Sequence, residues 1–190
     1  SDPLIAPLIE GAKPDGKVRG TVKERYFFRK GVGPGWALVG DAGHHKEFVI
    51  GDGITEALIQ AKHLSKAILE GSDIALIKWW RARDVEAMPL FYFGQDEGSL
   101  KPPGHLDSLV LKHVDKEPEL KKKFALVMEH KLSPFDSIPA SSVMKWVMGD
   151  VFRGKFSAIP DFFAKGKRAS FVNSQLKSRM KLLTEADSSI

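Results

Sequence analysis

Residues 34–45 have the sequence PGWALVGDAGHH, and residues 51–69 have the sequence GDGITEALIQAKHLSKAIL. The run Trp36–Gly40 is short and continuously apolar, which is typical of a strand buried on both faces. From Gly53 the apolar residues recur at steps of three and four, which predicts a helix of about five turns that ends at Gly71. The apolar stripe of this predicted helix consists of Ile54, Ala57, Leu58, Ala61, Leu64, Ala67 and Ile68.

The ends of this strand and helix offer two kinds of ligand contact. A carboxylate at a strand end, here Asp41 after Gly40, can accept hydrogen bonds from the hydroxyl groups of a ligand. The glycine-flanked start of the helix, Gly51-Asp52-Gly53, offers unpaired backbone N–H groups and the positive end of a helix dipole. Geometry alone also allows the plainer alternative that these glycines only make turns.

The whole string resembles the second FAD-binding segment of flavoprotein monooxygenases of the para-hydroxybenzoate hydroxylase type. The resemblance implies that Asp41 contacts the ribityl chain of FAD and that Gly40 lets the chain lie against the cofactor. It also implies that the backbone of the following turn approaches the isoalloxazine ring. The implied cofactor-binding residues are Gly40, Asp41, Gly51, Asp52, Gly53 and Ile54.

The sequence departs from the family pattern in two ways. Phe48 stands where many relatives have proline, so with His44 and His45 it is a candidate to line the substrate pocket. The first fingerprint of the family, G-x-G-x-x-G between a strand and a helix, is absent, because Gly31–Gly35 precedes a strand and reads as a turn. The chain is therefore expected to be the C-terminal part of the enzyme, and the N-terminal FAD-binding half would come from the same parent chain or a separate subunit.

The predicted fold class is α/β, the C-terminal portion of a glutathione-reductase-like FAD/NAD(P)-binding fold, with two strands followed by a mainly helical region. The three expected segments are residues 1–30, the end of a substrate-side sheet with a strand over Val18–Phe28; residues 31–71, the last part of the FAD-binding domain; and residues 72–190, a helical region. Ser72 or Asp73 is expected to cap a helix running toward Pro89. Further helices are predicted over 106–114, 119–130, 141–152 and 170–183.

Composition narrows the functional classes. The chain has 190 residues, 43% of them hydrophobic, and a formal net charge of +5 with a pI near 9.3. It has no cysteine, which excludes disulfides and thiolate metal sites, and His44, His45 and Glu47 lack a third ligand at metal-site spacing. The aromatic pairs carry no interleaved basic pattern, so no nucleic-acid partner is expected. No apolar run reaches the ~20 residues that span a bilayer.

The sequence thus predicts an FAD-dependent oxidoreductase, first of all a monooxygenase that uses NAD(P)H and O2 on a small organic substrate, with lipophilic compounds among the candidates. No side chain is assigned as catalytic acid or base. A flavin-dependent reductase or halogenase on the same fold is the alternative enzyme. A non-catalytic, basic helical module that associates with membranes is the alternative from another class, because basic and aromatic residues alternate in the last third of the chain. A cytoplasmic location is expected, with a membrane-peripheral one as the alternative.

Overall fold

Helices dominate the computed structural model, which describes residues 3–13, 15–17, 20, 25–98 and 102–187. Those predicted from periodicity are present, although the last one begins at Ala158 rather than at Ser170 because Pro160 lies in its first turn, where proline is tolerated. The helices of the described residues are α1 (Gly53–Glu70), α2 (Asp73–Glu97), α3 (His105–Lys116), α4 (Pro118–Met128), α5 (Ala140–Phe152) and α6 (Ala158–Asp187).

Four short strands lie in the described part of the chain, before α1, and form two antiparallel pairs. Strand β1 (Phe27–Phe28) pairs with β4 (His44–His45), whereas β2 (Val32–Gly33) pairs with β3 (Trp36–Ala37) in a hairpin. Within the predicted turn Gly31–Gly35, residues Val32 and Gly33 therefore form strand β2, and only Pro34 and Gly35 lie at the tip of the hairpin. The FAD-binding fold itself stays a prediction, since two two-stranded pairs do not identify it.

Two predicted strands are much shorter than expected. The run Trp36–Gly40 is not a strand buried on both faces, because only Trp36–Ala37 pair and the Trp36 side chain is 44% exposed. Gly40 instead begins a single 3-10 turn, Gly40–Ala42. Of the predicted strand Val18–Phe28, residues 18, 19 and 21–24 lie outside the described residues, and the pairing that is described covers only Phe27–Phe28.

Helix α1 has its predicted length but not its predicted buried face. Its fully buried side chains are Glu56, Gln60 and Ala67. The predicted stripe is largely in solvent: Ile54 is 80% exposed, Leu58 68% and Ile68 59%. The prediction was wrong about the face because the chain preceding α1 presents polar partners, which pair with Glu56 and Gln60 and so turn that side inward. Gly71 ends the helix in the left-handed conformation, and the Ser72 side chain caps α2, both as predicted.

Helix α2 is the central element, and it continues through Pro89 to Glu97, beyond the predicted helix that runs toward Pro89. An internal proline costs roughly 3 kcal/mol. The neighbouring side chains of Met88, Leu90 and Phe91 are each at most 6% exposed, so their burial offsets this cost. One side of α2 packs against α1 and the other against α6.

Two apolar clusters hold these elements together. The first joins β2, α1 and α2 through Val32, Ala67, Ala75 and Trp79. The second joins α3, α5 and α6 through Leu106, Leu109, Val147 and Ala158. Among the described helices, none combines the length and apolar character that crossing a bilayer requires.

Candidate functional site

Gly40 and Asp41 place a carboxylate on the surface just ahead of α1. Gly40 has a φ of 59°, and its N–H donates to Gln60 Oε1 at 2.8 Å. A Cβ atom at this position would lie 3.0 Å from Ala57 Cβ, so the close approach of the turn to α1 favours glycine. The side chain of Asp41 is 69% exposed, with Oδ1 3.6 Å from His45 Nδ1.

The start of α1 lies beside this carboxylate. Gly51 has a φ of 76°, and a Cβ there would have nothing within 4 Å. At Gly53 a Cβ would meet only Asp41 Oδ1, at 4.0 Å. Asp52 makes no side-chain capping hydrogen bond, so it does not occupy the N–H groups of the first turn, which have no partner within the helix. The result is an open surface where a carboxylate stands next to a helix N-terminus.

The side chains of His44, Lys46 and Glu56 form a buried polar cluster next to this surface. His44 Nε2 lies 2.9 Å from Glu56 Oε2, and Lys46 Nζ lies 2.5 Å from Glu56 Oε1. Burial raises the pKa of Glu56, but the hydrogen bond with His44 and the charge and hydrogen bond of Lys46 outweigh it and hold that pKa below its ordinary value. Glu56 therefore keeps its negative charge on the buried side of α1, where the positive charge of Lys46 balances it.

His130 ties the helical region after α4 to the start of α1. Its Nε2 lies 2.9 Å from Asp52 Oδ2, although the two atoms do not form a hydrogen bond of regular geometry. The backbone of His130 is left-handed, with a φ of 57°, which is uncommon for a residue other than glycine. Asp52 Oδ2 is also 4.0 Å from Lys46 Nζ, so the buried cluster and the surface turn share one set of charges.

Arg83 of α2 fixes the loops that carry these residues. Its guanidinium donates to the carbonyl oxygen of Leu38 at 2.9 Å and pairs with Asp84 at 2.7 Å. A Cβ atom at Gly31 or Gly43 would come within 3.0 Å of this guanidinium, so the two glycines let the loops close around it. The loop before α1 is therefore held by a buried charge on α2.

The residues predicted to line a substrate pocket lie in different environments. His44 is 1% exposed and stacked on the Phe28 ring, which corrects its assignment to an open pocket. His45 is half-buried next to Asp41, and Phe48 is 75% exposed. Within the described residues, no group of three His, Asp or Glu side chains is arranged to hold a metal ion.

Lys46, Glu56, Gln60 and His130 are part of the site, although sequence reasoning did not single them out. Glu56 and Gln60 stand four residues apart on one face of α1 and share it with Ala67, eleven residues after Glu56. This spacing was the available signal, but polar residues on a helix face ordinarily indicate solvent. No signal linked His130 to the site, because it reaches Asp52 across 78 positions of sequence.

Comparison of the chain with protein-family models, with curated proteins and with solved structures finds no significant match.

Proposed function

We propose that the chain is the C-terminal part of an FAD-dependent oxidoreductase, a monooxygenase that uses NAD(P)H and O2. The observation that carries the proposal is the exposed carboxylate of Asp41 beside the glycine start of α1, with Oδ1 4.0 Å from where a Cβ of Gly53 would stand. It is supported by the resemblance of residues 34–69 to the second FAD-binding segment of the para-hydroxybenzoate hydroxylase type.

The residues at this surface fit the flavin half of FAD. Asp41 would accept hydrogen bonds from the ribityl hydroxyl groups, since an ionised carboxylate only accepts. The backbone of Gly51, Asp52, Gly53 and Ile54 would lie against the pyrimidine edge of the isoalloxazine ring, because the two glycines leave space for a flat ligand. The positive end of the α1 dipole would favour a negative charge on the reduced ring.

The exposed apolar side of α1 supports the proposal that a second half-domain completes the FAD site. Ile54, Leu58 and Ile68 are joined there by Leu69, which is 87% exposed. A continuous apolar helix face in water is unusual and indicates an interaction surface. We propose that the half-domain that holds the ADP part of FAD packs on this face, either as more of the same polypeptide or as a separate subunit.

The bound flavin would supply the redox chemistry, and this chain would position it and shape the substrate side. Phe48 and Val49, 75% and 52% exposed, are apolar residues in the loop between Asp41 and α1. His45 precedes them in this loop and lies 3.6 Å from Asp41. An organic, lipophilic substrate suits this lining better than a charged one.

The test is the flavin content of the enzyme assembled with its nucleotide-binding half. Asp41→Ala removes a charge-assisted hydrogen bond worth roughly 1.5–3 kcal/mol, so FAD affinity should fall about ten- to a hundredfold. The measurement is the dissociation constant from flavin fluorescence, with occupancy read from absorbance. Asp73→Ala is the matched control, because Asp73 is also an exposed aspartate at a helix start but belongs to α2, whereas the proposed flavin contacts lie at the start of α1.

Equal FAD affinity in the Asp41→Ala and Asp73→Ala proteins would remove the role assigned to Asp41. An assembled protein without any flavin would overturn the proposed function as a whole.

A further inference from the structure

Helix α5 has an apolar ridge that is partly exposed to solvent. Met144, Met148 and Phe152 follow one another at four-residue steps and therefore lie on one face. Their exposed fractions are 44%, 42% and 84%. Phe156, just beyond the helix, continues the exposed apolar surface at 60%. We define Met144, Met148, Phe152 and Phe156 as the α5 ridge.

The ridge is additional to the face with which α5 joins the core. Val147 is 4% exposed and packs in the cluster of α3, α5 and α6, with Val143 and Trp146 beside it. The Trp146 ring stacks on His113 at a centroid distance of 4.2 Å. The helix is thus apolar on two sides, one packed in this cluster and the other partly exposed to solvent.

Basic side chains border the ridge. Lys145 and Arg153 lie on the neighbouring helical row with Gly149 between them, and a Cβ at Gly149 would be 3.7 Å from an Arg153 guanidinium nitrogen. Lys155 stands between the ridge residues of the turn. Residues 140–168 contain six Lys or Arg and two Asp, and Lys165 and Arg168 pair with Asp107 and Asp96 on other helices. One of the aspartates, Asp150, is paired with Arg153 at 2.8 Å.

The second aspartate does not offset the charge of the ridge. Asp161 Oδ2 accepts a hydrogen bond from the Leu106 N–H at 3.3 Å, so it faces α3. The exposed surface around the ridge is apolar in its centre, and the exposed side chains of Lys145 and Lys155 supply the net positive charge at its border.

The turn after α5 is ordered, which lowers the cost of presenting its aromatic residues. Gly154 adopts the left-handed conformation, with a φ of 76°. Its N–H donates to Val151 O at 2.9 Å, and the Lys155 N–H donates to Asp150 O at 2.9 Å. Phe152 and Phe156 are consequently held on a fixed turn, so little backbone entropy is lost when they enter an apolar phase.

We propose that the α5 ridge binds the surface of an anionic lipid bilayer, with α5 lying in the interfacial plane. Exposed aromatic and methionine side chains would enter the acyl boundary, and Lys145, Arg153 and Lys155 would meet the acidic headgroups. A helix of 13 residues is about 20 Å long and cannot span the bilayer, which agrees with a surface position. Charge complementarity selects lipid as the occupant, since a second copy of the chain would bring like charges together. The inference does not rest on the proposed flavin chemistry.

The test is co-sedimentation of the full chain with vesicles of equal parts phosphatidylcholine and phosphatidylglycerol, compared with vesicles of phosphatidylcholine alone. We expect binding to the anionic vesicles that weakens as salt is added. Phe152→Ser should lower the partition coefficient roughly tenfold, because a largely exposed phenylalanine gains from burial. Phe124→Ser is the matched control, since Phe124 is 52% exposed on α4, and it should leave binding unchanged.

Lys155→Gln tests the border of the ridge separately. One basic residue near an anionic surface contributes about 1 kcal/mol, so binding to the anionic vesicles should fall roughly fivefold. Circular dichroism of each variant verifies its helix content. Equal binding of the parent to both vesicle types, or none to either, would overturn the proposal. So would a self-association, measured by sedimentation velocity without lipid, that Phe152→Ser abolishes, because the ridge would then belong to a second copy.

Discussion

Asp84 is the residue whose substitution should cost the described fold most. It is 0% exposed, and its two carboxylate oxygens receive Arg83 and Arg179 separately. Arg83 pairs with Oδ1 at 2.7 Å and also donates to the Leu38 carbonyl oxygen. Arg179, which lies in α6, pairs with Oδ2 at 2.5 Å. One carboxylate therefore joins the loop before α1, helix α2 and helix α6.

Asp84→Asn keeps the size of the side chain and removes its charge. The amide has one oxygen, so one arginine would face an NH2 group, which only donates. A buried ion pair that loses one partner is destabilised by about 3–5 kcal/mol, because the remaining charge stays uncompensated. Arg83 is buried and Arg179 is 27% exposed, so we expect the lower part of this range.

The measurement is urea unfolding of the chain, followed by tryptophan fluorescence and circular dichroism. Asp96→Asn is the matched control, since Asp96 of α2 also pairs with an arginine of α6, Arg168, at 2.9 Å but is 38% exposed. Exposed pairs contribute about 0–1 kcal/mol. If both variants lose the same free energy of unfolding, the argument that burial decides the value of the Asp84 pairs is wrong.

Two further predictions concern the site. Because the pKa of Glu56 is lowered in the folded state, the stabilisation that its carboxylate provides is present above the unfolded pKa, near 4.5, and is lost as pH falls through the lower folded pKa. In acid titrations between about pH 5 and about pH 3, the parent should therefore lose more free energy of unfolding than Glu56→Gln, and an equal loss would exclude this role for Glu56. Gly40→Ala and Gly51→Ala should each cost about 1 kcal/mol of backbone strain, but only Gly40→Ala adds a close Cβ contact, 3.0 Å from Ala57 Cβ. The melting temperature of Gly40→Ala should therefore fall further than that of Gly51→Ala, and the reverse order would show that this contact relaxes freely.

The parts of the fold that depend on local sequence were predictable. Helix α1 begins at Gly53, ends before Gly71 and is followed by the Ser72 cap, because turn glycines and capping hydroxyls act within a few residues. The passage of α2 through Pro89 was not predictable from local rules. It depends on packing against α6, which is distant in sequence.

The candidate site divides in the same way. The sequence singled out Asp41 and the Gly51–Gly53 turn as separate candidate ligand contacts, and the structure adds that Asp41 Oδ1 lies 4.0 Å from where a Cβ of Gly53 would stand. The buried partners were not indicated, because Glu56 meets His44 and Lys46 through the pairing of β1 with β4. That pairing aligns Phe28 with His44 and sets which histidine turns inward.

Helix α1 shows that a correctly predicted helical periodicity does not determine which face of the helix is buried. The step of three and four residues requires an apolar face, and that face exists in Ile54, Leu58 and Ile68. The described chain instead places Lys46 and His44 against the inner side of α1, where both contact Glu56, and a buried carboxylate is stable only where such partners are present. The polar side therefore turns toward the loops before α1, and the apolar side is exposed to solvent. This exposed side is the surface that the proposed partner half-domain would cover, and the proposed flavin contacts at Gly53 lie at the N-terminal end of the same helix.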